Sequence, residues 1–377
     1  MKLKIRTHDA VAGNSNLDDL YSMPKFPVFM GCVNHKENED IFSEFTWQIS
    51  RDSGLIQLKN LIPLDILYSA EHHSGVIGDI WLEHHKKFSQ FLRETNPKTV
   101  FEIGGAHGIL SKEYFKFRQI PWTILEPNPS PVDGCEARFI KGFFDSKIVQ
   151  GEKIETVVHS HVLEHIYEPH KFMQDLAKIT KEGNQLVFSV PNMKVMLERN
   201  YTNCLNFEHT IFLTEPYIEF LLAKYGFRLI RKEYFMEDHS IFYAAKRDTL
   251  VKPFELPSAL YSVNKNLFNS YIEHHKNMIS DLNKIMDKIS QPIYLFGAHI
   301  FSQFLLVMGL DTSKIVCLLD NDIQKKDRRL YGTSLVVRSP KILAEIHKPV
   351  VILKAGVYNE EIKNQILINI NKDVIFL

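Results

Sequence analysis

The chain is poor in cysteine. Its four, Cys32, Cys135, Cys204 and Cys317, lie far apart in 377 residues and form no Cys-x-x-Cys pair. That spacing excludes a disulfide framework and fits a reducing cytoplasm. No apolar run approaches the ~20 residues of a membrane-spanning helix. The opening residues, MKLKIRTHDAVAGNSNLDD, lack the apolar stretch of a secretory signal. Net charge is missing too, because 45 basic residues balance 45 acidic ones. Such a chain has no global attraction for nucleic acid or an anionic membrane, although an acidic or phosphorylated small molecule can still bind locally. No internal repeat or low-complexity tract is present. The expectation is a soluble, cytoplasmic protein.

What is present is apolar material, 45% of the residues, enough for two or three packed domains. Residues 1–25 are polar and read as loosely ordered. Residues 26–68 hold short strand-like pieces such as 54–58. Ile80, Trp81, Phe88, Phe91 and Leu92 recur at helical spacing over 79–95, and Asn96-Pro97 breaks that helix. From Thr99 the pattern changes to short apolar runs at 99–103, 122–126, 137–140, 156–158 and 185–190. Helical stretches separate most of them, notably 163–180. A helix over 215–225, with Gly226 as its C-cap, leads to strands near 227–234 and 240–245. This alternation predicts an α/β fold with a parallel, doubly wound sheet. Residues 253–257, bounded by prolines, read as a linker. A long amphipathic helix over 264–289 follows, then a second α/β unit with strands at 293–296, 315–319 and 350–353. The expected division is a small N-terminal domain (1–78), a Rossmann-like domain (79–250) and a C-terminal Rossmann-like α/β domain (251–377).

One constellation carries chemistry. Glu102-x-Gly104-x-Ala106-x-Gly108 follows a strand and opens a helix. Small residues let the backbone approach a ligand closely, and a helix start offers free N–H groups. Glu126 ends the second strand about 20 residues on, where a carboxylate can accept both ribose hydroxyls. Phe144 offers an aromatic cover for adenine. His161-Val-Leu-Glu-His165 follows the fourth strand, at the edge where ligands of open α/β sheets bind. A glycine-rich turn alone also reads as a packing turn or a nicotinamide fingerprint. Against the latter, Glu102 stands where that fingerprint has an apolar residue or glycine.

Over residues 99–245 these features resemble the motifs of class I S-adenosylmethionine-dependent methyltransferases, with Ala106 where the middle glycine is common. The resemblance implies S-adenosylmethionine as cofactor and S-adenosylhomocysteine as product. Glu102, Gly104, Ala106, Gly108, Glu126, Phe144 and His161 are then the cofactor-binding set.

The whole chain resembles the three-domain sugar C-methyltransferase family. Asp52-Ser-Gly-Leu-Ile-Gln-Leu58, followed by Leu67-Tyr68, is similar to a strand of that family's small zinc domain. Here Ser50 and Ser53 stand where a Cys-x-x-Cys would be, and only Cys32 and His35 remain upstream. Zinc needs about four ligands, so a zinc-less remnant, with no metal site, is expected. Asn206-Phe-Glu-His209 resembles the family's Tyr-His-Glu-His segment, and Asp238-His-Ser240 its His-Gly-Gly-Ser stretch. Phe296-Gly-Ala298, the run from Asp320 to Lys326, Gly332-Thr333, Ser339-Pro340 and the run from Tyr358 to Ile362 follow the order of its C-terminal domain.

The resemblance implies methylation of a nucleotide-linked sugar in surface-glycan or natural-product biosynthesis. Carbon is favoured as acceptor. Oxygen is possible, since Asn206 and the run Glu71-His-His-Ser74 replace family aromatics. A carbon next to a ketone needs a base of near-neutral pKa, and histidine beside a carboxylate suits that. His209 is the first candidate, with Glu208 orienting it and His165 second; the bland reading makes all three loop or core residues. His72, His73, Ser74, Asn206 and Ser240 are expected to contact substrate. His84-His85 read as solvated helix residues, because adjacent helical side chains diverge by about 100°. A different class remains open: a non-catalytic nucleotide-binding module in a glycan assembly complex, its nucleotide held by Gly297-Ala298 and Asp320. A nicotinamide-dependent oxidoreductase is disfavoured, because that C-terminal turn lacks the remaining glycines.

Overall fold

The computed structural model describes residues 3–68, 78–149, 152 and 154–377. The N-terminal part holds β1 (Lys4–Ile5), β2 (Leu17–Pro27), β3 (Cys32–Val33), β4 (Phe42–Ser50), β5 (Ile56–Leu58), β6 (Asn60–Leu61) and the one-turn helix α1 (Leu64–Leu67). β2, β4 and β5 form an antiparallel sheet, and β1 pairs with β6. Residues 3–25 of the polar stretch are therefore not loosely ordered. Its polar groups bond to one another and to β5. Asp9 Oδ1 accepts from the N–H groups of Val11 (2.7 Å) and Ala12 (2.8 Å). The Gln57 amide binds the backbone at His8 and Ala10, both at 2.9 Å. Burial of Val11, Met23 and Phe26 completes the ordering.

The central part runs α2 (Asp79–Glu94), β7 (Val100–Ile103), α3 (Ile109–Phe115), β8 (Trp122–Glu126), β9 (Arg138–Lys141), β10 (Thr156–Ser160), α4 (Pro169–Ile179), β11 (Gln185–Pro191), α5 (Met193–Glu198), α6 (Glu215–Lys224), β12 (Phe227–Phe235), α7 (Met236–His239) and β13 (Ser240–Arg247). Its seven strands are ordered β12-β13-β11-β10-β7-β8-β9. β7 to β11 are parallel, while β13 runs antiparallel to both β11 and β12. This is the doubly wound sheet that the alternating pattern predicts, parallel except at the β12–β13 edge. The expected helix over 163–180 is split: a 3-10 turn at Leu163–His165 precedes α4, which starts at Pro169. Proline favours the first helical position and cannot continue a helix already formed. His84 is not solvated but fully buried on α2, and His85 is half-buried.

The C-terminal part begins with the 27-residue helix α8 (Leu260–Met286). It continues through β14 (Ile293–Phe296), α9 (Ile300–Val307), β15 (Ile315–Leu319), β16 (Arg329–Leu330), β17 (Val337–Arg338), β18 (Val350–Leu353), α10 (Asn359–Asn369) and β19 (Ile375–Phe376). Five strands form a parallel sheet, β17-β15-β14-β18-β19.

The N-terminal segment ties the other two parts together. Trp47, fully buried, packs against Phe45, against Phe212 of the central part and against Phe268 of α8. One hydrophobic core draws residues from all three parts. β3 pairs with β16, and Arg329 makes a two-pronged bond to Asp40. No helix among the described residues is long and apolar enough to cross a membrane.

Candidate active site

β7 is flanked by β10 and β8, so strand order reverses there; ligands of open α/β sheets bind in the crevice outside such strand ends. The turn after β7 carries the glycine-rich run. Gly104 and Gly108 both adopt φ +71°, a left-handed conformation that strains any side chain. A Cβ on Gly104 would stand 2.7 Å from Val162 Cγ2, so this loop lies directly on the turn that follows β10. Ala106 also takes a positive φ, of 42°.

Glu126, at the end of β8, is latched to this loop. Its Oε2 accepts from the Ala106 N–H (3.1 Å) and its Oε1 from the Asn128 N–H (3.0 Å). A carboxylate has about four lone-pair sites, so acceptor capacity remains for two hydroxyls. Glu102 lies beneath the loop rather than at its mouth. It is 3% exposed and accepts from Trp122 Nε1 at 2.8 Å. Burial pushes its carboxyl up to about 7. Phe144 turns inward against Phe172 (ring centroids 5.3 Å apart), and its neighbour Phe143 carries the exposed ring.

On the other side of the β7–β10 junction, the three residues read as catalytic come together. His165 ends the 3-10 turn after β10; Glu208 and His209 sit in the loop between α5 and α6. His165 Nδ1 is 3.6 Å from Glu208 Oε2, and the two histidine rings lie 5.4 Å apart. The Tyr68 hydroxyl joins His165 Nδ1 at 3.0 Å. His209 Nδ1 lies 3.0 Å from the Cys204 carbonyl oxygen. A carbonyl only accepts, so Nδ1 carries the hydrogen and Nε2 the lone pair. Burial lowers the pKa of both histidines, against the opposing pull of Glu164 and Glu208. Both are therefore unprotonated at neutral pH.

The structure differs from the sequence reading at two residues expected to touch substrate. Asn206 is buried, and its Oδ1 accepts from the N–H groups of Glu208 and His209, both at 2.8 Å. It shapes the loop as an Asx turn. Ser240 is fully buried and bonds His161 Nε2 (2.9 Å) and His239 Nδ1 (2.6 Å). His72, His73 and Ser74 lie outside the described residues. Cys32 and His35 are engaged elsewhere: Cys32 Sγ contacts the Ala298 carbonyl oxygen at 3.4 Å, and His35 Nε2 lies 3.0 Å from Asp40 Oδ1.

Sequence reading missed Glu164, which lies within the quoted 161–165 stretch. It is fully buried, and neither carboxylate oxygen has a hydrogen-bond partner among the described residues. Its Oε1 stands 3.4 Å from His161 Nδ1 and 3.8 Å from His165 Nε2. Tyr68 was visible beside Leu67 but carried no signal of its role. Two ligand-capable clusters follow: Glu164 with His165 and His209, and His84 with His161 and His239. In each, one donor atom per residue lies within 4.8 Å of the others.

Residues 81–232 match the family model described as "Methyltransferase domain". This stretch of the chain is similar to methyltransferase domains. Two relatives, each named "uncharacterized methyltransferase", come from Mycobacterium sp. strains JLS and KMS. Both are 22% identical over 127 residues, which is 32% of this chain. The chain spans about half the length of these relatives, 47% of each. Among solved structures, the domain is similar to magnesium protoporphyrin IX methyltransferase from Synechocystis PCC 6803. That match has 16% identity and a TM-score of 0.36, over 47% of this chain and 90% of that one. It is also similar to 1,6-didemethyltoxoflavin-N1-methyltransferase from Burkholderia thailandensis, at 14% identity and a TM-score of 0.35, over 45% and 81%.

Proposed function

We propose that the chain is a cytoplasmic S-adenosylmethionine-dependent methyltransferase acting on a nucleotide-linked sugar, on carbon in preference to oxygen. The observation that carries this is the meeting of two half-sites at the β7–β10 junction. One is the 104–108 loop latched to Glu126; the other is the His165–Glu208–His209 group. The cofactor fits the first half-site, because Glu126 keeps free acceptor capacity where two ribose hydroxyls would need it. S-adenosylmethionine, when bound, supplies an electrophilic methyl group. The sugar assignment rests on the sequence resemblance alone.

Within this reading Glu126 and the loop hold and orient. His209 Nε2 is the atom that would take the acceptor's proton. Glu208 steadies the charge that then develops on the neighbouring imidazoles, and Tyr68 fixes the His165 ring.

Calorimetric titration with S-adenosylhomocysteine, on wild type and Glu126→Ala, tests the reading. Two hydrogen bonds to a charged group are worth about 1.5–3 kcal/mol each, so the variant should bind about 10²- to 10⁴-fold more weakly. A mass-shift assay over nucleotide sugars then tests the acceptor. A folded wild type that binds no S-adenosylhomocysteine would refute the proposal.

A further inference from the structure

A second group of histidines lies beside this site, and of its members only His161 belongs to the expected cofactor-binding set. His84 comes from α2, His161 from the turn after β10 and His239 from the end of α7. One ring nitrogen from each lies within 4.8 Å of the others. The ring centroids are 5.3 Å (His84–His161), 5.4 Å (His84–His239) and 6.0 Å (His161–His239) apart. His84 is fully buried, and neither of its ring nitrogens has a hydrogen-bond partner among the described residues. An unsatisfied polar ring in such a place costs stability, and a phenylalanine would fill the same space without that cost.

The surroundings match those of a metal site. Trp81 packs on all three rings at 4.9 to 5.2 Å, and Phe235 and Phe242 close the shell around His84. Ser240 Oγ bonds His161 Nε2 and His239 Nδ1, and an ion would take Nε2 of His161 in its place. Metal-binding histidines usually turn their other nitrogen to a carboxylate. Here the Glu164 carboxylate, without a hydrogen-bond partner among the described residues, stands 3.4 Å from His161 Nδ1. His161 is held at φ +53°, a conformation costly for a side chain and retained where the surroundings impose it.

We propose that His84, His161 and His239 bind one divalent transition-metal ion of the zinc class, with Glu164 as the carboxylate that orients His161. Three neutral imidazoles with an open fourth position suit zinc, cobalt or nickel better than magnesium or calcium, which prefer oxygen. The ion would balance the buried charge of Glu164 and brace the turn that carries His165. The proposal does not depend on the identity of the cofactor or acceptor.

The test uses the full chain, stripped with chelator and titrated with Co²⁺ alone while ligand-field absorption is followed, then with Zn²⁺ by calorimetry. Wild type should take up one equivalent of either ion. His84→Phe and His239→Phe, checked for folding by circular dichroism, should lose it. Glu164→Gln should weaken it about 10- to 100-fold, and His209→Gln should leave it in place. No uptake by folded wild type overturns the proposal. So does uptake that survives in folded His84→Phe and His239→Phe, or that disappears in folded His209→Gln, which would move the ion to the other cluster. If both phenylalanine variants fail to fold, X-ray absorption of the zinc-loaded wild type decides, with three imidazole ligands expected and fewer than three refuting.

Discussion

Replacing Asp40 by asparagine removes one charge from the joint between the two ends of the chain. The Asp40 side chain is 1% exposed and that of Arg329 11%. Arg329 Nη2 meets Oδ1 at 2.6 Å and Nη1 meets Oδ2 at 2.7 Å; the Gly332 N–H adds 2.8 Å to Oδ2. Asparagine keeps the volume but leaves the guanidinium buried without its counter-charge. Breaking a buried pair in this way costs about 3–5 kcal/mol, a large part of the 5–15 kcal/mol typical of a whole fold. Urea unfolding at pH 7 should show the midpoint falling by roughly 1–1.7 M for an m-value near ~3 kcal/mol per M. The effect carries a pH signature. Burial pushes the Asp40 carboxyl up, but Arg329, the Gly332 N–H and His35 together outweigh it and hold the group below its ordinary value. A depressed carboxyl stabilises the fold above its unfolded pKa of about 3.9 and loses that contribution as pH falls towards the folded value. The two proteins should therefore converge in stability below about pH 4. A loss under ~1 kcal/mol at pH 7, or a gap unchanged through the whole carboxylate range, would refute the reasoning.

The other predictions concern histidines. His209→Asn should cut methyl transfer by about 10²- to 10⁴-fold while S-adenosylhomocysteine still binds; equal loss of binding would make the residue structural. Because burial lowers the His209 pKa, the acid limb of wild-type kcat/KM should fall below pH ~6.5, and a limb at or above that value rejects His209 as base. His159 is stacked on Phe188 at 4.8 Å, and burial pushes it down to about 3. The unfolded chain gains a proton there below pH ~6.5, which subtracts about 2 kcal/mol by pH 5. His159→Phe should therefore flatten the fall in melting temperature between pH 7 and 5, and an unchanged slope would reject that account.

The central and C-terminal sheets were legible because strands such as those at 293–296 and 350–353 are buried on both faces and so appear as unbroken apolar runs. β2 was hidden for the opposite reason. It carries Asp18, Asp19 and Lys25 on an edge strand, and its order comes from pairing with β4 rather than from local propensity. The His165–Glu208–His209 group was nameable only through resemblance to a family, since no spacing rule joins loops that distant. The histidine cluster was unreadable from sequence. The argument that adjacent helix residues diverge is sound for His84 and His85 as a pair, but the ring is completed by His161 and His239. Asn206 was misread because an Asx turn and a substrate contact call for the same residue type.

The joint between Asp40 and Arg329 also sets a timetable. A ribosome adds about 5–20 residues per second, and 289 residues separate the two partners. Roughly 15–60 s therefore pass between the emergence of one and the other. For most of that interval Trp47, Phe45 and Phe26 have been synthesised, while Phe268 and the helix that carries it have not. The nascent chain must hold that unfinished apolar surface in check, so its demand on chaperones should be greatest before the last third is made, and truncation after residue 250 should yield aggregates rather than a smaller working enzyme.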